Sequence, residues 1–448
     1  MPGRIVDLSD NLAFGDGFPH ATFKWLRDED PVHWHDATPK SPDGEGFWVV
    51  SRYNDIMEVL RTPEIFSSNT GGQRRGGGTT LKDERAAGKV LNYTDNPQHK
   101  TLRQLVNKGF TTRAMALLEN NLKGRANTLI DAFPERVSFD FVQAFGRELP
   151  LQAICMILGV PQEDRAHLCD LIELGLEADS PNVVAIEYIK KVQEYAREII
   201  SEKRCSPADD ILSTIVHATL ADEDDRQLTD EELVNFFILL FPAGAETTRN
   251  AFGSGLRALV EHPDQLARLR KEPGLMRPAI EEIVRWTTPS IYKRRTVTRD
   301  TKFHGAALKT GDKLTVWEMS ANRDERIFDD PFTFDIARTP NRHIGFGFGA
   351  HICLGAALAR LELKVGLSAL FERIAKFEVE EPAKWVPNNR LLGLKRLPLR
   401  IKFKGQIRPY HKKIIYHIHN TKLDIADQIK ICREARKKKK YNLSILTN

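Results

Sequence analysis

The sequence predicts a mainly α fold with small β-sheets. Three observations predict it. Apolar residues recur at helical spacing over most of residues 97–285. From 290 to 317 the spacing shortens to β-like runs. An Ala/Leu-rich helix, 352–374, then follows a Gly-rich loop that bears a single cysteine.

Residues 1–68 mix short apolar runs with turns, and GFWVVSRYNDIMEVL (46–60) reads as a strand running into a helix. TGGQRRGGGTTLKDERAAGKV (70–90) is Gly-rich and charged. A loop of that length inside a compact domain is usually functional, so a mobile lid is expected. Amphipathic helices are expected at 112–132, 149–158, 162–176, 185–203, 207–219, 229–260 and 277–286, with polar or Pro-bearing turns at 159–161, 180–182 and 221–225. RRTVTRDTKFHG and AALKTGDKLTVWEMS read as strands, 329–350 as a Pro/Gly-rich meander, and 391–403 as two short closing strands. No internal repeat is visible.

Of 448 residues, 41% are hydrophobic and 28% charged, which excludes a disordered, collagenous or membrane-embedded chain. No window of 18 apolar residues predicts a transmembrane anchor. The N-terminus lacks the apolar core of a signal peptide. Cys155, Cys169, Cys205, Cys353 and Cys432 are widely spaced with no CxxC, which argues against a disulfide framework or zinc ribbon and for a reducing, cytoplasmic location. The net charge of +5 is uneven. Residues 404–448 hold 12 Lys/Arg against three acids, so +9 sits there and −4 on residues 1–403. Lys, Ile, Asn and Tyr make up 23 of those 45 residues. The tail is expected to be a basic extension, disordered or translated past a lost stop, with no part in catalysis. Its KKKK run (437–440) lacks interleaved aromatics, so no nucleic-acid partner is expected.

FGFGAHICLG (346–355) delivers one thiol, Cys353, at a helix start. Gly347 and Gly349 permit tight turning. Free amides and the positive end of a helix from about 354 should lower the thiol pKa. Such a thiolate could be a nucleophile, a redox thiol or a metal ligand. AGAETT (243–248) sets Glu246 beside Thr247 within the long helix, where a Thr can bond a backbone carbonyl and open the ladder. Gly244 leaves room for a small ligand. Pro242 removes an amide donor to the carbonyl of Ile238 and should kink the helix. Glu282 and Arg285 share one helix face, as do His99 and Arg103.

FGFGAHICLG resembles the FxxGxxxCxG haem-binding loop of the cytochromes P450, with Phe346, Gly349, Cys353 and Gly355 in the fixed places. Three further motifs stand in the family's order, and the resemblance covers about residues 15–403, so 1–403 is expected to be one P450 domain. It implies haem b as cofactor, Cys353 as the axial thiolate on its iron, and Phe346, Gly347 and Gly355 around that ligand. AGAETT is similar to the family's distal-helix [AG]GxxT motif. This implies that Glu246 and Thr247 relay protons to dioxygen and that Ala243 and Gly244 border the cofactor. Glu282 and Arg285 resemble the buried ExxR pair, joined by a meander arginine, here Arg338, in a structural role. His99, Arg103, Arg295 and His351 take the positions that bracket the haem propionates.

The resemblance further implies a monooxygenase: one atom of O2 enters a C–H bond, and electrons arrive from a ferredoxin and its reductase. Lys100, Arg103, Lys108, Arg113 and Arg360 are candidate docking cations. The expected substrate contacts are Phe237, Leu240, Ala243, Ser290, Ile291, Leu391, Leu392 and Leu394, mostly apolar, hence a lipophilic small molecule. RELPLQAICMILGVPQEDR, EEIVRWTTPSIYKRRT and LTVWEMSANRDERIFDDPFTFD are similar to a bacterial subgroup that hydroxylates sterol side chains, branched lipids and terpenoids. The alternatives are a peroxide-driven peroxygenase and a non-enzymatic haem-binding protein. The Glu246–Thr247 pair argues against both.

Overall fold

The computed structural model describes residues 5–72, 74–107, 112–177, 183–220 and 226–405. Val32–His35 pairs antiparallel with Phe47–Val50, which runs parallel to Lys313–Val316. Lys293–Val297 and Phe66–Ser67 complete this five-stranded sheet. FWVV leads, as its pattern predicts, into the helix Tyr53–Arg61. Side chains alternate along Lys293–Val297, so Arg294 and Arg295 leave on opposite faces. Arg294 donates to Asp83 at 2.7 Å, and Arg295 is left for the site described below.

Thr112–Asp131, Glu148–Leu158, Asp230–Glu261, Met276–Thr287 and Ala356–Arg373 pack around a core that includes Phe145, Phe252, Ile283 and Leu370. The 32-residue helix Asp230–Glu261 opens with a capping box: Thr229 Oγ accepts from Glu232 N, and the Glu232 carboxylate accepts from Thr229 N at 2.8 Å. It runs through Pro242 without a break, so the expected kink does not interrupt it. Phe241 and Ala245 on either side are buried, and their packing outweighs one lost hydrogen bond. Gly366 lets Ala356–Arg373 close on this helix; a Cβ there would sit 2.6 Å from the Phe252 ring.

Three expectations need correction. The stretch 207–219 is helical only over Ile211–Val216, because Asp210 caps it by accepting from Ser213 N at 2.7 Å. The helix after the cysteine starts at Ala356. Cys353 N–H is bonded back to Phe346 O at 2.8 Å and stays in the loop. The segment 70–90 is pinned and is not a mobile lid. Arg74 bridges Asp83 at 2.6 Å and Glu45 at 2.7 Å, buried Arg294 also holds Asp83, and Leu81 is buried with its amide on Tyr292 Oη. Composition alone could not show these partners. The last strand, Pro398–Phe403, pairs with Ile374–Val379 and Phe139–Asp140. The tail from 406 onward lies outside the described residues.

Arg285 and Glu282 are fully buried and joined by two bonds of 2.7 Å. Arg338 reaches Glu282 at 3.3 Å, and Asn341 at 3.1 Å. Arg285→Ala would strand the Glu282 charge in the core, so chemical denaturation should show a loss of roughly 3–5 kcal/mol.

Candidate functional site

The cysteine loop turns on two left-handed glycines, Gly347 (φ 72°) and Gly349 (φ 73°). A Cβ on Gly349 would meet Leu60 O at 2.9 Å, so the turn admits only glycine there. The loop leaves Cys353 exposed, with the Gly355 amide on its sulfur. Neighbouring protein atoms desolvate the sulfur and push its pKa up, while the Gly355 N–H, Lys293 and Arg103 pull it down. The expected amide contact is therefore present, but desolvation outweighs it.

Beside the loop stand four basic groups from three separate elements. The His99 and His351 rings lie 4.1 Å apart. Arg103 donates to Ala350 O at 3.2 Å, and buried Arg295 to Arg294 O at 2.8 Å. Ser68 Oγ meets His351 Nε2 at 3.1 Å. Burial, then Arg295, His99 and Arg103, push the His351 pKa down to about 2. Burial and Arg103 push His99 down to about 4. Burial lowers Arg295 as well, opposed by Asp95 and Glu318. Those two acids are already engaged, Asp95 by Ser67 and Ser68 and Glu318 by Lys293 at 3.1 Å. Two arginines beside two imidazole N–H donors suit a ligand that brings its own carboxylates. A surface cavity of about 320 Å³, lined by Asn96, His99, Lys100, Arg103 and Ala350, opens beside it. The donor set, one thiol next to two arginines and two histidines, fits haem with its two propionates.

On the long helix, Thr247 Oγ donates to Ala243 O at 3.0 Å. Ala243 is exposed although Phe241 and Ala245 are buried, and Leu240 and Thr247 are half-buried, so one apolar stripe of the helix faces open space. Glu246 is buried and held by Arg249 at 2.9 Å. The room left by the missing side chain of Gly244 is taken by Ile154. A Cβ there would sit 2.6 Å from Ile154 Cδ1, so it serves helix packing.

Four expected substrate contacts are core residues. Phe237 is buried against Phe241 and Tyr195. Ile291 and Leu392 are buried in a cluster with Phe14 and Trp317, and Leu394 is buried too. A lone apolar residue gives no sign of whether it faces a cavity or a neighbour. Ser290 and Leu391 are half-buried and bridge each other, and Ser290 Oγ accepts from Lys293 at 2.6 Å. Among the docking cations, Lys100 is exposed, Lys108 lies outside the described residues, as does the side chain of Arg113, and Arg360 is held by Glu281 at 2.6 Å. The roles of Lys293, Glu318, Ser68, Arg249 and Glu281 escaped the sequence, because their partners come from other elements or because no spacing marks them.

Glu281 also receives His343 at 2.9 Å, and its pKa is depressed to about 2 against a burial cost that opposes it. Its contribution to stability is complete above the ordinary value of 4.5 and is lost as pH falls toward 2. Glu281→Gln should flatten the acid limb of the stability-versus-pH curve in that window.

A family model described as Cytochrome P450 matches residues 162–404. The chain is 48% identical over 403 residues to cytochrome P450 126 of Mycobacterium tuberculosis, covering 89% of this chain and 97% of that protein. It is 37% identical to the Mycobacterium tuberculosis steroid C26-monooxygenase (82% and 86% covered) and 35% to its methyl-branched lipid omega-hydroxylase (89% and 95%). The structure of Mycobacterium marinum cytochrome P450 CYP268A2 in complex with pseudoionone superposes with a TM-score of 0.80 at 32% identity, covering 89% of this chain and 99% of that one.

Proposed function

The chain belongs to the cytochrome P450 family, and from that membership we propose a monooxygenase that hydroxylates a lipophilic small molecule of steroid, branched-lipid or terpenoid type. As a P450 monooxygenase it carries haem b and uses O2 and redox partners. No helix among the described residues is long and apolar enough to cross a membrane. When bound, haem supplies the activation of O2 by which one oxygen atom enters a C–H bond.

In this reading Cys353 would ligate the haem iron, with the Gly355 amide bonded to its sulfur. His99, Arg103, Arg295 and His351 would hold the cofactor carboxylates, the arginines by charge and the imidazoles by N–H donation. Thr247 keeps its hydroxyl proton on Ala243 O and passes protons along the open helix face, while Arg249 holds Glu246 as the acid behind it. Leu240 and Ala243 present an apolar wall to the substrate. A ferredoxin is the electron donor, docking near Lys100 at the cavity beside Arg103. The observation that carries the reading is the cluster of two arginines and two histidines packed against the Cys353 loop. The substrate class draws on the relatives, whose names specify a steroid and a methyl-branched lipid.

Reduced, CO-treated protein should absorb at about 450 nm, as haem thiolates of this family do. Cys353→Ser should abolish that band, and its persistence would remove Cys353 as the ligand. Steroids, methyl-branched fatty acids and acyclic terpenoids should shift the ferric protein from low to high spin. A response confined to polar compounds would refute the substrate class.

A further inference from the structure

Phe346, the first residue of the cysteine loop, is boxed by charged groups from two helices. Arg360, on Ala356–Arg373, lies over its ring with Cζ 4.4 Å from the centroid. Glu281, on Met276–Thr287, holds that guanidinium in a two-point fork, Nε to Oε1 at 2.6 Å and NH2 to Oε2 at 2.8 Å. The same carboxylate takes His343 Nε2 at 2.9 Å, and the His343 ring stands 6.0 Å from that of Phe346. Phe346 O accepts from Cys353 N at 2.8 Å, so the boxed ring and the sulfur belong to one closed turn. The charges of Arg360 and Cys353 also act on each other directly.

We propose that Arg360 is a positioning residue whose charge, partly cancelled by Glu281, sets the reduction potential of the metal bound at Cys353. The inference rests on the reading of Cys353 as haem ligand. Reduction adds one negative charge on the far side of the loop. A fixed cation nearby favours the reduced state, and a fixed anion opposes it. Because Glu281 occupies both Arg360 nitrogens on one side and Phe346 its face, Arg360 is committed to the loop and is not a docking cation.

Glu281 and Arg360 should therefore act with opposite sign. In the haem-loaded full chain without substrate, spectroelectrochemical titration should show a lower midpoint potential for Arg360→Gln and a higher one for Glu281→Gln. A threefold change in the ferrous-to-ferric ratio at fixed potential, on the order of 30 mV for one electron, is the expected size. The double variant should return close to the parent, and Arg360→Lys, which keeps the charge, should keep most of the potential. Shifts of the same sign in both single variants, or none, would overturn the proposal. So would an unmoved potential in Arg360→Gln with a raised KM for ferredoxin, the mark of a docking role. If Arg360→Gln fails to load haem, Glu281→Gln decides: an unmoved or lowered potential overturns the proposal. Absence of the CO band at about 450 nm in the parent protein would instead refute the ligand reading itself.

Discussion

Buried Arg285 uses all five of its N–H donors. Two go to Glu282 and three to the carbonyls of Asn322, Pro331 and Thr333, which belong to the strandless stretch leading into the cysteine loop. Glu282 in turn accepts from the Asp335 amide and from Arg338 and Asn341. A meander with few regular hydrogen bonds of its own is thereby fastened to a helix by a single charged pair. Desolvating that pair is costly, and it is stable only because every donor finds an acceptor. The placement of Ile344, Phe346 and finally Cys353 depends on it.

The site gathered at the end of this meander is built against electrostatic preference. His99, Arg103, Arg295 and His351 converge although burial and the two arginines lower the proton affinity of both histidines. The sheet places Arg295 rigidly by pairing its residue with Leu314, and the helix Gln98–Asn107 carries His99 and Arg103 one turn apart. Packing energy from the rest of the domain holds together groups that would separate in water. A cofactor with carboxylates then gains what the protein has already spent in desolvation. The same logic extends to the other side of the loop, where the Glu281–Arg360 pair sits against Phe346.

Along the chain, patterns of short range translated well into structure. Helical periodicity located Asp230–Glu261 and Met276–Thr287 within a residue or two, and the short apolar run FWVV located a strand. The cysteine loop, the Glu282–Arg285 spacing and the His99–Arg103 spacing were equally plain, since each is a fixed offset within one segment. The errors share a cause. Loop 70–90 reads as mobile until Arg294, some two hundred residues on, is seen to hold Asp83. Gly244 reads as space for a ligand until Ile154 fills it. Phe237, Ile291 and Leu392 read as a pocket lining until the core closes over them.

Residue order and local spacing therefore settled the fold class, the family and the lone thiol, because these depend on offsets of a few residues along one backbone. Which basic groups face one another, which apolar residues meet the open face of the long helix, and whether Arg360 serves a partner or Phe346 depended on the packed chain. Those questions concern atoms that are neighbours only after folding. Charge, burial and hydrogen bonding act there over a few ångströms, regardless of how many residues lie between.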